Sequence, residues 1–560
     1  MLGFDDKETD YGLLNAQKPS LSTVVRSNAR GIAGGVLSFA AVTWMVATFS
    51  SAAPRGSSPV VSLQSVSEQW HGVSLGGWLL MEINPARREY TSPMDLRPQW
   101  MFDQVFASSE LDFITALRKD KGDDFAIKTM KNHWAGYITG DMLDAAKKLG
   151  VDTVRIPMGY WIADAPVGGG TPLDYGISPE GFVTGGLNHL LVMLKMLKER
   201  DMGALIDIHS MPCNSACISD GLYCAKPLGF MAKGEAPIGD MPRCEFASAK
   251  DGIDVYPTKR QPKEGMEEWP DVGVAAVDYL AHWIAHLPKE AQSVKVFQLA
   301  NEPALGPSSP AVYAAILAFY DRSMKAARKH LPTLPLILSF MGPSKPVLEA
   351  LTKANADDKA VGGGGYIGDH HYYLNWQACC GVGEGVPALN QMPWDEIHRR
   401  ACLLEAEGDA HDIDVYGKAG LKVMVGEWSL ATNLDAHMDI TNAETRAQLK
   451  QLYEEQLETF ATRDEIVGAF FWTLRMGSGW DPRPSGDHPH GQQLKDTSAW
   501  VSANGYPFKV WSLLEMAEAG IAGPLDANYA GTCAKNRCSG ALGTCDIGWH
   551  PPPVDEEPLP

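Results

Sequence analysis

Residues 294–303 read VKVFQLANEP, and this stretch shows the pattern that decides the fold. It begins as an apolar run rich in valine and phenylalanine and ends close to the polar pair Asn301 and Glu302. Runs of this kind are typical of strands buried on both faces, and such strands occur in parallel sheets. Seven more runs share the pattern, each ending in polar or aromatic residues: GVSLGGWLL (72–80), DTVRIPMGYW (152–161), GALIDIHS (203–210), LPLILSF (334–340), GGYIGDHHYY (364–373), LKVMVGEWS (421–429) and IVGAFFWTLR (466–475).

Helical patterns separate most of these runs. The segment LNHLLVMLKMLKERDMG (187–203) places its leucines on one stripe, and similar patterns occur at 141–150, 311–331 and 444–463. Eight strands that alternate with helices predict an α/β protein, a (β/α)8 TIM barrel with inserted loops. A doubly wound sheet is the alternative, but no glycine-rich phosphate-binding loop follows the first strand.

The N-terminal segment has a different character. Residues 31–53 carry no charge, and basic residues lie mainly on their N-terminal side, at Lys18, Arg26 and Arg30. This segment is long enough to cross a bilayer as a helix. The positive-inside rule then predicts a single-pass type II membrane protein, with a cytoplasmic tail at 1–30 and the remainder extracellular or lumenal.

Two alternatives to this anchor stay open. Ser51 and Ala53 form a passable signal-peptide cleavage site, which would give a secreted protein, and a buried core helix is the third interpretation. We favour the uncleaved transmembrane signal-anchor because the leader before it is long. The remaining predicted divisions are a linker at 54–69, a catalytic domain at 70–524 and a cysteine-containing acidic tail at 525–560.

Charge and cysteine content narrow the functional classes. The formal net charge is −20, which argues against a nucleic-acid partner because phosphate binding needs a basic surface. The chain has 10 cysteines, an even number typical of disulfides outside the cytoplasm, whose pairing the sequence cannot fix. Zinc is the competing interpretation, but no CxxC pair occurs. We therefore expect disulfides and no metal.

The predicted strand ends carry a set of polar and aromatic residues. Active sites of TIM barrels lie at the C-terminal ends of the strands. Each residue alone could be a helix cap, an ion pair or a solvated loop residue, but their occurrence together favours a site. They are Trp78, Glu82, Arg155, Asp207, His209, Asn301, Glu302, His370, Tyr372, Glu427 and Trp472.

Two carboxylates stand out in this set, Glu302 and Glu427. They end the fourth and seventh strands, which lie across the barrel mouth from each other. Hydrolysis of a glycosidic bond needs two such groups, one protonated to donate to the leaving oxygen and one ionised to attack. A short gap between them predicts retention of configuration. Arg155 would keep Glu427 ionised, and Asn301 could bind a sugar hydroxyl.

Histidines complete the predicted site. His209, His370 and Tyr372 could bind further sugar hydroxyls or orient the nucleophile. The trio of His209, His370 and His371 could instead suggest a metal site, but the HExxH spacing on one helical face is missing. We expect no metal ligands and no cofactor.

The ordered motifs resemble those of glycoside hydrolase family 5, most closely the fungal exo-β-1,3-glucanases. They are GVSLGGWLLMEINP, VRIPMGYW, LIDIHSMP, LANEP, DHHYY, VGEWS and FFWTLR, and the resemblance covers about residues 70–515. It implies Glu302 as acid/base and Glu427 as nucleophile. It also implies sugar contacts by Glu82, Arg155, His209, Asn301, His370, Tyr372 and Trp472.

This resemblance predicts an exo-acting glucan 1,3-β-glucosidase that releases glucose from β-glucan chain ends. The alternatives are a β-1,6-glucanase, an endo-β-1,4-glucanase, a glucosylceramidase or an inactive carbohydrate-binding module. The segment after the third strand, SMPCNSACISDGLYC (210–224), and Leu474 in WTLR depart from the family pattern. Long loops at 210–270 and 373–415 predict a pocket closed behind the first sugar.

Overall fold

Eight parallel strands close a barrel in the computed structural model of the chain. They are hydrogen-bonded in sequence order, and β1 pairs with β8, as predicted. The strands match the eight apolar runs of the sequence. They are β1 (Trp70–Ser74), β2 (Thr153–Gly159), β3 (Gly203–Ser210), β4 (Val294–Gln298), β5 (Leu336–Ser339), β6 (Tyr366–Tyr372), β7 (Lys422–Trp428) and β8 (Ile466–Phe471).

Helices occupy the connections between strands, and a two-stranded hairpin, β9 (Trp480–Asp481) and β10 (Gln492–Gln493), follows β8. All four helical segments noted in the sequence are helical. The helices are α1 (Glu110–Lys121), α2 (Asp123–Gly136), α3 (Gly140–Lys148), α4 (Pro172–Tyr175), α5 (Gly186–Glu199), α6 (Glu268–Ala285), α7 (Pro310–His330), α8 (Lys345–Ala360), α9 (Trp394–Leu403), α10 (Asp409–Lys418), α11 (Ala443–Ala461) and α12 (Leu513–Glu518).

The structure describes residues 69–81, 110–177, 181–211, 268–303, 310–340, 345–374, 393–404, 409–432, 439–476, 480–481, 483–493 and 509–535. The predicted tail, anchor and nearly all of the linker therefore lie outside the described residues, as do Glu82 and most of both predicted loops. Within the described part, none of the helices is both long and apolar enough to cross a bilayer.

The barrel interior is layered from apolar to polar. A cluster separate from the main core includes Leu205, Val296 and Ile367, and it fills the end of the barrel where the strands begin. Side chains two residues apart in a strand share a face. The next inward positions on these three strands are therefore Asp207, Gln298 and Asp369. These polar residues form the floor of a site at the opposite end.

The segment after α12 packs on the helical layer. A disulfide joins Cys402 of α9 to Cys533, which lies in a short 3₁₀ helix at Thr532–Lys535. The backbone amide of Cys533 also donates to Glu458 of α11 at 2.6 Å. The described part of the predicted 525–560 tail is thus attached to the barrel.

Candidate active site

Glu427 lies at the end of β7 and is held by two donors. Arg155 Nη1 donates to Glu427 Oε1 at 2.7 Å, and the Tyr373 hydroxyl donates to Oε2 at 2.7 Å. Both bonds are charge-assisted, a class stronger than neutral hydrogen bonds. Burial and the neighbouring Glu427 carboxylate raise the pKa of Tyr373 well above its ordinary value, so this hydroxyl remains a donor.

Glu302 lies four residues beyond the end of β4, where the backbone turns sharply. Its φ of 36° places a non-glycine residue in the left-handed region. Such a conformation costs about 1–3 kcal/mol and concentrates at functional sites. The turn brings Glu302 Oε1 to 2.6 Å from His371 Nδ1. The local backbone strain therefore serves the placement of this carboxylate.

His371 connects the two carboxylates. Its Nδ1 lies 2.6 Å from Glu302 and 3.5 Å from Glu427, and its Nε2 bonds Asp369 at 3.1 Å. Burial opposes the charged imidazole, but the carboxylates of Glu427, Asp369 and Glu302 outweigh burial and raise the pKa of His371 well above its ordinary value. His371 is therefore an imidazolium that bonds carboxylates through both nitrogens.

The charge of His371 acts in turn on Glu302. Burial alone would raise the pKa of Glu302, but the adjacent imidazolium lowers it below its ordinary value. A general acid must carry a proton, and here that proton lies in the 2.6 Å hydrogen bond between His371 Nδ1 and Glu302 Oε1. Because these groups interact so strongly, their protonation belongs to the cluster rather than to one residue.

Arg155 is the fixed positive charge beneath the site. It is fully buried, and its Nη2 lies 2.9 Å from Asp207 Oδ2 and 2.7 Å from Asn301 Oδ1. Its Nε bonds Gln298 at 3.1 Å. Burial opposes its charge, but Asp207 and Glu427 overcome this and raise the pKa of Arg155 further. The guanidinium thus orients both Glu427 and the side-chain amide of Asn301, the residue before Glu302.

His209 and Trp472 form the wall on the β3 and β8 side. Because Asn301 Oδ1 accepts from Arg155, its Nδ2 donates to His209 Nε2 at 3.2 Å. His209 Nδ1 then carries the proton that bonds Asp207 at 2.7 Å. The imidazole is stacked on the Trp472 ring, with centroids 5.6 Å apart and planes 14° apart.

The structure corrects the placement of two predicted site residues, His370 and Tyr372. The Tyr372 hydroxyl donates to the carbonyl of Arg400 in α9 at 3.3 Å, so this side chain faces the helical layer. His370 lies two residues earlier, on the same face of β6. Their neighbours His371 and Tyr373 face the barrel mouth and bond the two glutamates.

Sequence reasoning also missed Asp369 and Gln298, which bond each other inside the barrel. The two-residue period of a strand could have found these two residues, and it could also have found His371 and Tyr373. Counting from the apolar Ile367, the inward positions are 369, 371 and 373. Arg155, His209, Asn301, Trp472 and the two glutamates do come together as expected, and Glu82 lies outside the described residues.

The composition of the cluster also resembles that of a metal site. One ligand atom each from Glu302, His371 and Glu427 lies within 4.8 Å of the others. In the structure these groups instead hydrogen-bond to one another and to Arg155 and Tyr373. The absence of metal ligands stays a prediction.

Comparisons with known proteins find a family and several relatives that resemble this chain. The cellulase family, glycosyl hydrolase family 5, matches residues 119–474. Glucan 1,3-beta-glucosidase 3 of Schizosaccharomyces pombe is 24% identical over 425 residues, 74% of this chain and 71% of that protein. Glucan endo-1,6-beta-glucosidase B of Emericella nidulans is 32% identical over 153 residues, 26% of this chain and 31% of that protein.

A solved structure is also similar. The rutinosidase from Aspergillus niger superposes with a TM-score of 0.45 at 15% identity, covering 79% of this chain and 98% of that chain.

Proposed function

Because the chain belongs to glycosyl hydrolase family 5, we propose that it is a retaining, exo-acting glucan 1,3-β-glucosidase with Glu302 as acid/base and Glu427 as nucleophile. The observation that carries the retaining mechanism is the 4.8 Å limit on the distances among the ligand atoms of Glu302, His371 and Glu427. Retaining enzymes hold their carboxyl groups about 5–5.5 Å apart, whereas inverting enzymes separate them by about 6.5–9.5 Å. The short separation leaves no room for an attacking water.

The chemistry has two steps in this proposal. In the first, Glu427 attacks the anomeric carbon while the proton of the 2.6 Å contact between His371 Nδ1 and Glu302 passes through Glu302 to the leaving oxygen, which leaves Glu302 ionised and His371 neutral. The glycosidic bond breaks and a bond between the sugar and the Glu427 oxygen forms. In the second, Glu302 accepts a proton from water, and the water oxygen displaces Glu427 with retained configuration.

The surrounding residues support the charge changes in both steps. Arg155 and Tyr373 stabilise the negative charge of Glu427 before attack and after release. Asn301 is held in one orientation by Arg155 and His209, with its amide beside Glu302, where a 2-hydroxyl of the bound sugar would lie. Preorganised partners of this kind stabilise the transition state more than the bound substrate.

Two similarities bear on the linkage. The Schizosaccharomyces pombe relative, which matches 74% of this chain, carries the name glucan 1,3-beta-glucosidase 3, and this name supports a β-1,3-glucan as substrate. The relative named glucan endo-1,6-beta-glucosidase supports β-1,6-glucan as the second candidate. Exo action rests on the long loops expected at 210–270 and 373–415, and attachment to a membrane through residues 31–53 rests on sequence alone.

Product analysis tests the linkage and the mode of action. The purified protein is incubated with laminarin, pustulan, carboxymethylcellulose and glucosylceramide, and the first products are identified at low conversion. We expect β-glucose as the first product from laminarin, and Glu427→Gln serves as the inactive control. A ladder of oligosaccharides would contradict exo action, and α-glucose would contradict retention. Faster sugar release from one of the other substrates would contradict the β-1,3 linkage and favour the linkage of that substrate.

Protease protection tests the membrane proposal. In intact cells, added protease should digest the domain after residue 55 and spare an N-terminal epitope. The reverse pattern would contradict the orientation, and a mature N-terminus near Pro54 would indicate a cleaved signal.

A further inference from the structure

Gln298 is a buried amide at the centre of the barrel, and the mechanism above does not use it. It is the last residue of β4 and is fully inaccessible to solvent. Its Oε1 accepts from Arg155 Nε at 3.1 Å, and its Nε2 donates to Asp369 Oδ2 at 2.7 Å. Nε2 also lies 3.4 Å from the carbonyl of Ala300, in the turn that leads to Glu302.

These contacts close a ring of polar side chains. On one side, Gln298 bonds Arg155, which bonds Glu427 at 2.7 Å. On the other side, Gln298 bonds Asp369, which bonds His371 at 3.1 Å. His371 closes the ring at 3.5 Å from Glu427 and holds Glu302 at 2.6 Å. Gln298 is therefore the link between the cation that holds one glutamate and the imidazolium that holds the other.

Asp369 depends on this link for its position. Its Oδ2 accepts from both Gln298 and His371, whereas its Oδ1 has no hydrogen-bond partner among the described residues. The carboxylate packs against Gly426, where an added Cβ would lie 2.1 Å from Oδ1. Without Gln298, Asp369 would keep one side-chain hydrogen bond within the described part of the chain, that to His371, and the orientation of that imidazole would be less well defined.

We infer that Gln298 is a positioning residue whose amide fixes Arg155 and Asp369 relative to each other, and thereby orients both catalytic glutamates. This inference rests on the roles of Glu302 and Glu427 under the proposed function. The position needs an acceptor towards Arg155 and a donor towards Asp369. An amide supplies both at once, whereas a carboxylate would bring two negative oxygens together and an apolar side chain would supply neither.

The charges around this link define how it responds to pH. The charged and titratable groups of this network are Arg155 on β2, Asp207 and His209 on β3, Asp369 and His371 on β6, and Glu427 on β7. A glutamic acid at 298 that carries a proton could donate to Asp369 and accept from Arg155, and would reproduce both bonds. This gives a variant whose activity reports on the hydrogen bonds rather than on side-chain volume.

The experiment compares Gln298→Met with Gln298→Glu, both similar in volume to glutamine. Thermal unfolding first establishes that each variant folds, and kcat and KM for an aryl β-glucoside are then measured between about pH 4 and 7. We expect Gln298→Met to lose about 10- to 100-fold in kcat, with KM little changed, because two buried bonds to charged partners are lost. Gln298→Glu should return to within about threefold of wild type at the acidic end. If Gln298→Met does not fold, Gln298→Asn replaces it, since its shorter amide cannot span both partners.

The control is Asn355→Leu, which removes another buried amide. Asn355 accepts from the backbone amide of Tyr366 at the start of β6, away from the strand ends that carry the site. It should lower thermal stability and leave kcat and its pH profile unchanged. A Gln298→Met enzyme within threefold of wild type, or a Gln298→Glu enzyme as poor as Gln298→Met at acidic pH, would overturn the inference. A wild-type protein inactive on every β-glucoside would instead contradict the proposed function.

Discussion

Replacing Tyr373 by phenylalanine tests the role of its hydroxyl in the active site. The adjacent Tyr372 faces the opposite side of β6 and provides the comparison. The Tyr373 hydroxyl donates to Glu427 Oε2 at 2.7 Å, and the other nearby group, His371 Nδ1, lies at 3.5 Å, beyond good hydrogen-bond distance. Tyr373→Phe therefore removes the one short hydrogen bond to this oxygen among the described residues. The ring and its packing on Trp511 remain.

The size of the effect follows from the type of bond. A hydrogen bond to a charged group contributes about 1.5–3 kcal/mol, and each 1.4 kcal/mol corresponds to about tenfold in rate. Because the bond is buried and charge-assisted, we expect kcat/KM for an aryl β-glucoside to fall by about 10- to 100-fold. The fold should remain intact, since the phenyl ring fills the same volume.

Tyr372→Phe is the matched control. It removes the same atom from the preceding residue, but that hydroxyl donates to the Arg400 carbonyl in the helical layer. We expect activity within about twofold of wild type and a loss of stability of about 1 kcal/mol. The test is to measure kcat/KM for the aryl β-glucoside with both variants. Activity retained in Tyr373→Phe and lost in Tyr372→Phe would refute the assignment of the faces of β6.

Three further predictions concern charge and covalent links. Arg155→Met should reduce kcat/KM at least about 100-fold in the same assay, because it leaves buried carboxylates without their cation; a modest loss would contradict this role. Burial raises the pKa of Glu110 from 4.5 to about 7, so the folded state binds this proton more tightly than the unfolded state. The free energy of unfolding should therefore fall by about 3 kcal/mol as the pH rises from 4.5 to about 7. Thermal melts of Glu110→Gln should lack this decline. Asp164→Asn is the control: it removes a carboxyl whose pKa burial raises to about 6, and this variant should keep the decline in stability above pH 6. A wild-type melting temperature that is flat from pH 5 to about 7.5 would contradict the prediction for Glu110. Cys402→Ser should lower the free energy of unfolding by about 2–4 kcal/mol, because its disulfide closes a loop across 131 residues, and an unchanged melting temperature would show that the bond is not needed.

The fold could be predicted from the sequence because strands buried on both faces leave a strong local pattern. VKVFQ at 294–298 and KVMVGEW at 422–428 are both strands of the closed barrel. The same physics made Glu302 and Glu427 visible, since polar residues at or just beyond the C-terminal ends of such strands lie at the barrel mouth.

What the sequence could not decide was the face of each polar residue. DHHYY contains two histidines and two tyrosines in succession, so composition fits either face, and only the count from the buried Ile367 distinguishes them. Gln298 and Asp369 were missed because their partners come from strands distant in sequence. The pairing of Cys402 with Cys533 depends on the packing of the tail on α9 and α11, which no local pattern encodes.

The most direct test of the central claim is to identify the carboxylate that forms a covalent bond with the sugar. The protein is treated with a 2-fluoro-β-glucoside that has an activated leaving group, digested, and analysed by mass spectrometry. We predict an adduct of one fluoroglucosyl unit on Glu427 in wild type, the same adduct in Glu302→Gln and none in Glu427→Gln. An adduct on Glu302 or another carboxylate, or a Glu427→Gln protein that is still labelled, would contradict the assignment of the nucleophile.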